Sequence, residues 1–323
     1  MTAAIFAASN CLGRYPLSVR EILLCFAQRL FAFDGGLSPE AETIVWNVRL
    51  PRAAAGALVG AALAVSGCAF QGMFQNPLVS QGILGVSSGA GFGAALSILL
   101  FSGTMFVPFF AFLFGLAAVF LSFMVARLCK GSETMMLILG GTIISSIFSA
   151  LLSFLKYVAD PYNELASIVF WNMGSLASVE TDVLPFSVLA MAVGILILLS
   201  QGLAINVLSM GEREAQSMGL PASRIRFLVI LGATLATAGA VSLSGTIGWV
   251  GLIIPHMARF FVGSDNRKLL LFSLFLGAGF MMLIDILCRI LTGAEIPLGI
   301  MTSLIGGPFF LYLLVRYKGG VWR

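Results

Sequence analysis

The sequence has 323 residues, 59% of them hydrophobic and only 10% charged, with a mean hydropathy of +1.03. An ordinary soluble domain carries roughly 25% charged residues, so a water-soluble globule is excluded and an integral membrane protein is expected. The formal net charge of +4 says less than the placement of the charges, which sets membrane topology.

Residues 1–13 are apolar but short of the roughly 20 residues that cross a hydrocarbon core of about 30 Å. They read as the remnant of a first helix. A cleaved signal peptide is the alternative, although no basic n-region and no A-x-A site precede Arg14. Ser18-Val19-Arg20-Glu21 fits a capping box, in which hydroxyl and carboxylate meet the free N–H groups of a helix start. An amphipathic helix over about 19–31 is expected to follow.

Asp, Glu, Lys and Arg are absent from 53–126, 134–155, 183–211, 227–258, 269–284 and 296–315. Asn76-Pro77 among Gln71, Gln75 and Gln81, and Ser102-Gly103 ahead of Pro108, read as turns that divide the first stretch. The predicted crossings therefore lie near 53–73, 82–101, 106–126, 134–155, 183–205, 227–246, 248–262, 269–288 and 296–315. A β-barrel is excluded, because its signal is alternation over about 10 residues. The fold class is all-α, with about ten transmembrane helices of which the first is truncated.

Alternate loops assigned to one side place Arg127, Lys130, Arg213, Arg224, Arg226, Arg259, Arg267, Lys268, Arg316, Lys318 and Arg323 together. The opposite side holds Arg14, Arg20, Arg29, Arg49, Arg52, Lys156 and Arg289. The positive-inside rule makes the first side, with the C-terminus, cytoplasmic. Residues 14–52 are then extracytoplasmic. GAALAVSG at 60–67 and GATLATAG at 232–239 agree at five of eight positions, and the crossing count runs their helices in opposite directions. That pattern fits an inverted internal repeat, a transporter feature. It equally fits two small-residue surfaces for close helix packing.

Much chemistry is missing. The five cysteines, Cys11, Cys25, Cys68, Cys129 and Cys288, show no CxxC spacing, and there is one histidine. Apolar filling is their expected role, and no metal site is expected. No G-x-x-x-x-G-K-[ST] occurs, so no P-loop holds nucleotide here. GVSSGAGFG at 85–93 opens an apolar crossing with no strand before it, and reads as close packing rather than as a dinucleotide loop. Asp285 and Arg289 stand one helical turn apart and are expected to pair. His256 follows Pro255 in a broken helix and reads as structural.

Seven ordered motifs carry a resemblance: RLPR at 49–52, GAALAVSGCAFQGMFQNPL at 60–78, GILGVSSGAG at 82–91, WNMGSL at 171–176, GEREAQSMGL at 211–220, GTIGWVGLIIPHMAR at 245–259 and AEIPLGIMTSLIGGPFFLYLL at 294–314. Together they resemble the permease subunit of type II ABC importers for iron-siderophores, haem and cobalamin. The resemblance implies one permease domain over 1–323, paired with a second copy in the cytoplasmic (inner) membrane of a bacterium. Two ATP-binding cassette subunits would lie below and an extracytoplasmic substrate-binding protein above. It implies no catalysis and no cofactor in this chain, ATP and Mg belonging to the partner, and no nucleic acid.

Residue by residue, the resemblance assigns Arg49, Arg52 and Arg289 to binding-protein docking, against a plainer reading as headgroup anchors. It assigns Glu212, Arg213, Glu214, Ala215, Gly219 and Leu220, within a cytoplasmic segment at 209–226, to ATPase coupling. A solvated loop is the plainer reading there. Asn76, Leu78, Ser132, Glu133 and Thr134 match the positions that narrow the cytoplasmic exit, where composition alone gives only polar turns. Iron-siderophore leads as cargo, then haem, then cobalamin. A proton-coupled secondary transporter using Asp285 or Glu295 is the alternative.

Overall fold

The computed structural model describes residues 1–13, 15–31, 38–101, 105–128, 133–177 and 184–316. Among them no strand occurs. The chain opens with α1 (Thr2–Cys11) and α2 (Val19–Phe31). Glu21 accepts from both the Ser18 N–H and hydroxyl at 2.7 Å, and the Glu21 N–H donates to Ser18 Oγ at 3.2 Å, so the capping box closes in both directions. These bonds hold the Glu21 carboxyl below the ordinary range. Next, α3 (Pro39–Thr43), a π-helical segment (Ile44–Arg49) and α4 (Leu50–Met73) run as one 35-residue span. The π-helical turn, a feature often found at functional sites, leads directly into the RLPR motif.

Then come α5 (Val86–Phe101), α6 (Val107–Leu128), α7 (Glu133–Val158), α8 (Glu164–Met173), α9 (Leu184–Ser200), α10 (Gly202–Leu208) and α11 (Glu212–Ser217). The chain finishes with α12 (Ala222–Ser244), α13 (Val250–Val262), α14 (Asn266–Ile290) and α15 (Leu298–Arg316). Among the described residues five helices are long and apolar enough to span by themselves, and α9 with α10 makes a sixth, bent by 56° at Gln201. Four shorter apolar helices, α1, α5, α13 and most of α15, bring the apolar segments of the described residues to ten.

Burial sorts centre from rim. The most apolar window is 83% buried in the span ending with α4 and 72% in α12, against 28% in α6 and in α7. The two rim helices point Phe109, Leu113, Phe120, Ile143, Ile147 and Phe154 outward from the chain. At the centre α4 packs on α9, α12, α13 and α14. Arg52 meets Asp285, Gly60 meets Gly277 and Gly72 meets Asn266, so numbers fall on α14 as they rise on α4 and the two helices are antiparallel. Gly239 against Ser187 and Gly232 against Gly194 make α9 and α12 antiparallel in the same way. Gln75, two residues past the end of α4, bonds to Leu208 at the end of α10, and only α11 stands between α10 and the start of α12. The matched segments at 60–67 and 232–239 therefore run in opposite directions, side by side, with Ser66 Oγ donating to Ala233 O at 3.4 Å.

Two expected crossings are broken. The stretch near 183–205 bends at Gln201, and the one near 248–262 is reduced to α13. Thirteen residues rise only about 20 Å. Ahead of α13, residues 245–248 are non-helical and Trp249 sits at φ 68°. Helix α8, in a region without a predicted crossing, ends at Gly174, φ 76°. There Ser175 N–H donates to Ser244 O at 2.8 Å and Leu298 N–H donates to Gly174 O at 2.9 Å. Thr246 Oγ1 also donates to Asn172 O, so three of the seven motifs converge on one junction.

Candidate functional site: a charged end, a polar seam and a presented helix

At one end of α4 lies a knot of charge. The Arg52 guanidinium donates from Nε and Nη2 to Asp285 Oδ1 at 3.0 and 2.8 Å, and from Nη1 and Nη2 to Glu295 Oε1 and Oε2 at 3.1 and 2.9 Å. Bidentate pairs of this kind fix orientation as well as charge. Arg289 Nε stands 3.1 Å from Asp285 Oδ2 in the expected i,i+4 pair, off the axis of a true hydrogen bond. Arg289 also donates to Ser9 Oγ at 2.9 Å and Leu12 O at 3.1 Å. Arg49 donates to Asn10 O at 2.7 Å, Cys11 O at 3.1 Å and Tyr15 O at 2.5 Å.

Arg49, Arg52 and Arg289 are 4%, 8% and 6% exposed and Asp285 1%, so all three guanidiniums are engaged inside the chain. Three cations face two carboxylates. The carbonyls at the end of α1 offset the excess, since a helix C-terminus carries partial negative charge. Composition could not announce Glu295 as the second partner of Arg52, nor α1 as the lid on Arg49 and Arg289. These partners lie 243, 39 and 280 residues away in sequence.

Below the knot, the break before α13 leaves backbone groups without helical partners in a region that excludes water. Pro255 has no N–H, which frees Gly251 O, the acceptor four residues back. Gln71 Nε2 on α4 donates to that oxygen at 3.2 Å and to Val79 O at 3.3 Å, and Gln81 Nε2 donates to Ile247 O at 3.3 Å. The two glutamines, which composition placed beside a turn, are buried substitutes for lost helix bonds. His256 Nδ1 lies 2.9 Å from Leu252 O and its ring packs on Phe310, in keeping with a structural histidine. Gln71→Leu should orphan Gly251 O and cost about 1–3 kcal/mol. Pro255→Ala restores an N–H, so in a double-mutant cycle by thermal unfolding it should recover part of that loss. Additive losses would remove Gln71 from this role.

The opposite end of α4 carries Gln75 at φ 50°, whose side chain donates to Leu208 O at 2.9 Å. Asn76 and Leu78 are exposed, and the Leu78 N–H donates to Asn76 Oδ1 at 2.9 Å. Ser132 lies outside the described residues, as does the side chain of Glu133. Thr134, half-buried, is in the first turn of α7. The two halves of the expected gate thus belong to separate elements.

The GEREAQSMGL motif folds as α11. The Leu220 N–H bonds to Ala215 O and the Gly219 N–H to Gln216 O, both at 3.0 Å, with Gly219 at φ 76°. This is a Schellman ending, which uses glycine at the left-handed position. Ala215 is fully buried and Leu220 packs on the core, while Glu214, Gln216 and Met218 face outward. The side chains of Glu212 and Arg213 lie outside the described residues. From Arg52 to Gly72 the chain rises about 30 Å at 1.5 Å per residue, so the knot and α11 occupy opposite faces of one membrane thickness.

This is the architecture of a multi-pass membrane transport permease, with broken helices at its heart and a short helix held out at one end. The chain belongs to the FecCD transport family, which it matches over residues 1–316. It is 41% identical over 316 residues to the molybdate import system permease protein MolB of Haemophilus influenzae, covering 96% of this chain and 91% of that one. It is 38% identical over 276 residues to the "Probable iron chelatin transport system permease protein" of Helicobacter pylori, covering 85% and 83%. A solved structure described as "An inward-facing conformation of a putative metal-chelate type ABC transporter" superposes with a TM-score of 0.87 at 39% identity, over 98% of this chain and 96% of that one.

Proposed function

We propose that this chain is the permease of an ATP-driven importer that moves a metal chelate across the bacterial cytoplasmic membrane by alternating access. It works with a second copy of itself, two ATP-binding cassette subunits that hold the ATP and Mg, and an extracytoplasmic binding protein. The C-terminus faces the cytoplasm, as the Lys and Arg asymmetry favours. Iron-siderophore is the leading cargo, ahead of haem and cobalamin. The relative named for iron chelatin favours that order, and the one named for molybdate supplies the competing substrate.

The observation that carries the reading is the separation of the charged end from α11 by one membrane thickness along α4. The binding protein docks over Arg49, Arg52 and Arg289, which brace that surface from beneath because each guanidinium is already bonded within the chain. Segment 209–226 enters a groove on the ATPase, with Glu212, Arg213, Glu214, Ala215, Gly219 and Leu220 shaping the contact, a helix-in-groove mode. Asn76, Leu78, Ser132, Glu133 and Thr134 narrow the exit. Asp285 is held in place by Arg52 and Arg289 inside the chain, and the family match over residues 1–316 favours the ATP-driven reading over the secondary-transporter alternative.

The test is reconstitution with the ATPase and binding protein in liposomes offered ferric siderophore, haem, cobalamin and molybdate. Uptake of one chelate should require internal ATP and survive collapse of the proton gradient. Gly219→Val, strained at positive φ with open space around it, should uncouple ATP hydrolysis from uptake while the chain still folds. Uptake without ATP that an uncoupler abolishes would overturn the reading, and uptake of molybdate alone would replace the cargo.

A further inference from the structure

A cavity of about 580 Å³ opens where the bend at Gln201 meets the first turn of α14. Leu199, Leu203 and Leu271 make an apolar wall and Arg267 with Lys268 a basic rim, completed by Ser200 and Asp265. The volume falls in the roughly 300–1,000 Å³ range of small-molecule sites. Its walls are built rather than incidental. A Cβ on Gly202 would lie 3.1 Å from Arg267 Cα, so α10 runs hard against the start of α14. Asn206 clamps the pair, donating to Asp265 Oδ1 at 2.7 Å and accepting from the Asn266 N–H at 2.7 Å and its side-chain amide at 2.9 Å.

The carboxylate in the lining is committed to that clamp. Asp265 Oδ1 also caps α14 by accepting the Arg267 N–H at 3.1 Å, and these bonds hold its carboxyl below the ordinary range. Two cations against one such anion leave the rim net positive. The cavity sits at the boundary of the hydrocarbon layer, because α14 begins its 25-residue span at Asn266. Cations at headgroup level sit directly beside Leu203 and Leu271, which stay 60% and 49% exposed. A free anion would use the rim and ignore the leucines, whereas an amphiphile uses both.

We propose that this cavity binds one anionic glycerophospholipid, its phosphate between Arg267 and Lys268 and an acyl chain along Leu203 and Leu271. The site is independent of the cargo, and basic pockets between helices on the cytoplasmic side are where such lipids are held. Native mass spectrometry of the full chain tests it, with phosphatidylglycerol and phosphatidylethanolamine of matched chains. The wild type should retain phosphatidylglycerol preferentially. The Arg267→Gln/Lys268→Gln double variant should weaken retention roughly 25-fold, which is about 2 kcal/mol for two cations at the surface. Both changes are at exposed positions, and equal unfolding temperatures in lipid-free detergent check that the fold survives. Leu203→Ser/Leu271→Ser should also weaken retention. Equal retention of the two lipids by the wild type overturns the proposal whatever the variants do. So does displacement of the lipid by millimolar inorganic phosphate, which would make this a soluble-anion site. Loss of ATPase binding in the double variant with lipid retention unchanged would reassign the rim to the protein partner.

Discussion

Asp285→Asn is expected to destabilise the chain by about 3–5 kcal/mol, the cost of removing one partner from a buried ion cluster. The size follows from geometry. Asp285 is 1% exposed and touches both Arg52 and Arg289, so its loss leaves three guanidiniums facing Glu295 and a few backbone carbonyls. Arg52 retains Glu295, but Arg289 keeps only its bonds to α1 and to its own helix. Thermal and denaturant unfolding in lipid nanodiscs would read the loss directly. The companion triple variant Arg52→Met, Asp285→Leu, Arg289→Met should recover part of it, because apolar replacement of a buried ion set is often near neutral, while Glu295, with 24% of its side chain exposed, keeps its contact with water. A tolerated Asp285→Asn would mean that the cluster is hydrated and adds little. A destabilised triple variant would mean that it orders the end of α4 through its geometry as well as its charge.

That cluster marks how far residue reading reaches. The Asp285–Arg289 pair was legible because both residues lie on one helix, where spacing settles distance. The stronger partner, Arg52, lies 233 positions away, and nothing local reports it. Hydropathy found the long spans α4, α6, α7, α12 and α14 for a similar reason, since each is uniformly apolar over enough residues to cross. The same uniformity hid the breaks at Gln201 and at residues 245–249. An apolar run records what its side chains prefer and carries no record of where the backbone turns.

Helix α8 was missed from the other direction. The stretch around it holds Asp160, Pro161, Asn163 and Glu164 and reads as a connecting loop. Its order comes from Gly174 and Ser175 bonding to Leu298 and Ser244, contacts that only the folded chain supplies. The GEREAQSMGL segment was visible as a motif. Its Schellman ending could be inferred from Gly219 followed by an apolar residue, whereas the burial of Ala215 could not.

Gly60→Ala should carry the second large effect, because at this point two backbones meet with no room for a methyl group. A Cβ on Gly60 would lie 2.2 Å from Gly277 O and 2.5 Å from Met281 Cβ, and one on Gly277 would lie 2.5 Å from Gly60 O. The obstacle is helix backbone, which cannot rotate aside as a side chain does, so α4 and α14 must separate. Overpacking of this kind costs typically 1–3 kcal/mol and occasionally more. Here the cost should reach the top of that range. Separation at Gly60 also pulls on the Arg52–Asp285 pair two turns away and on the approach of Gly72 to Asn266 at the far end. Gly307→Ala is the matched comparison, since a Cβ there meets nothing within 4 Å and alanine favours helix. Unfolding temperatures of the two variants in the same nanodiscs should fall well apart, Gly307→Ala at or slightly above wild type and Gly60→Ala far below it. If they coincide, the small residues shared by 60–67 and 232–239 reflect composition alone, and contact between α4 and α14 is looser than the antiparallel register implies.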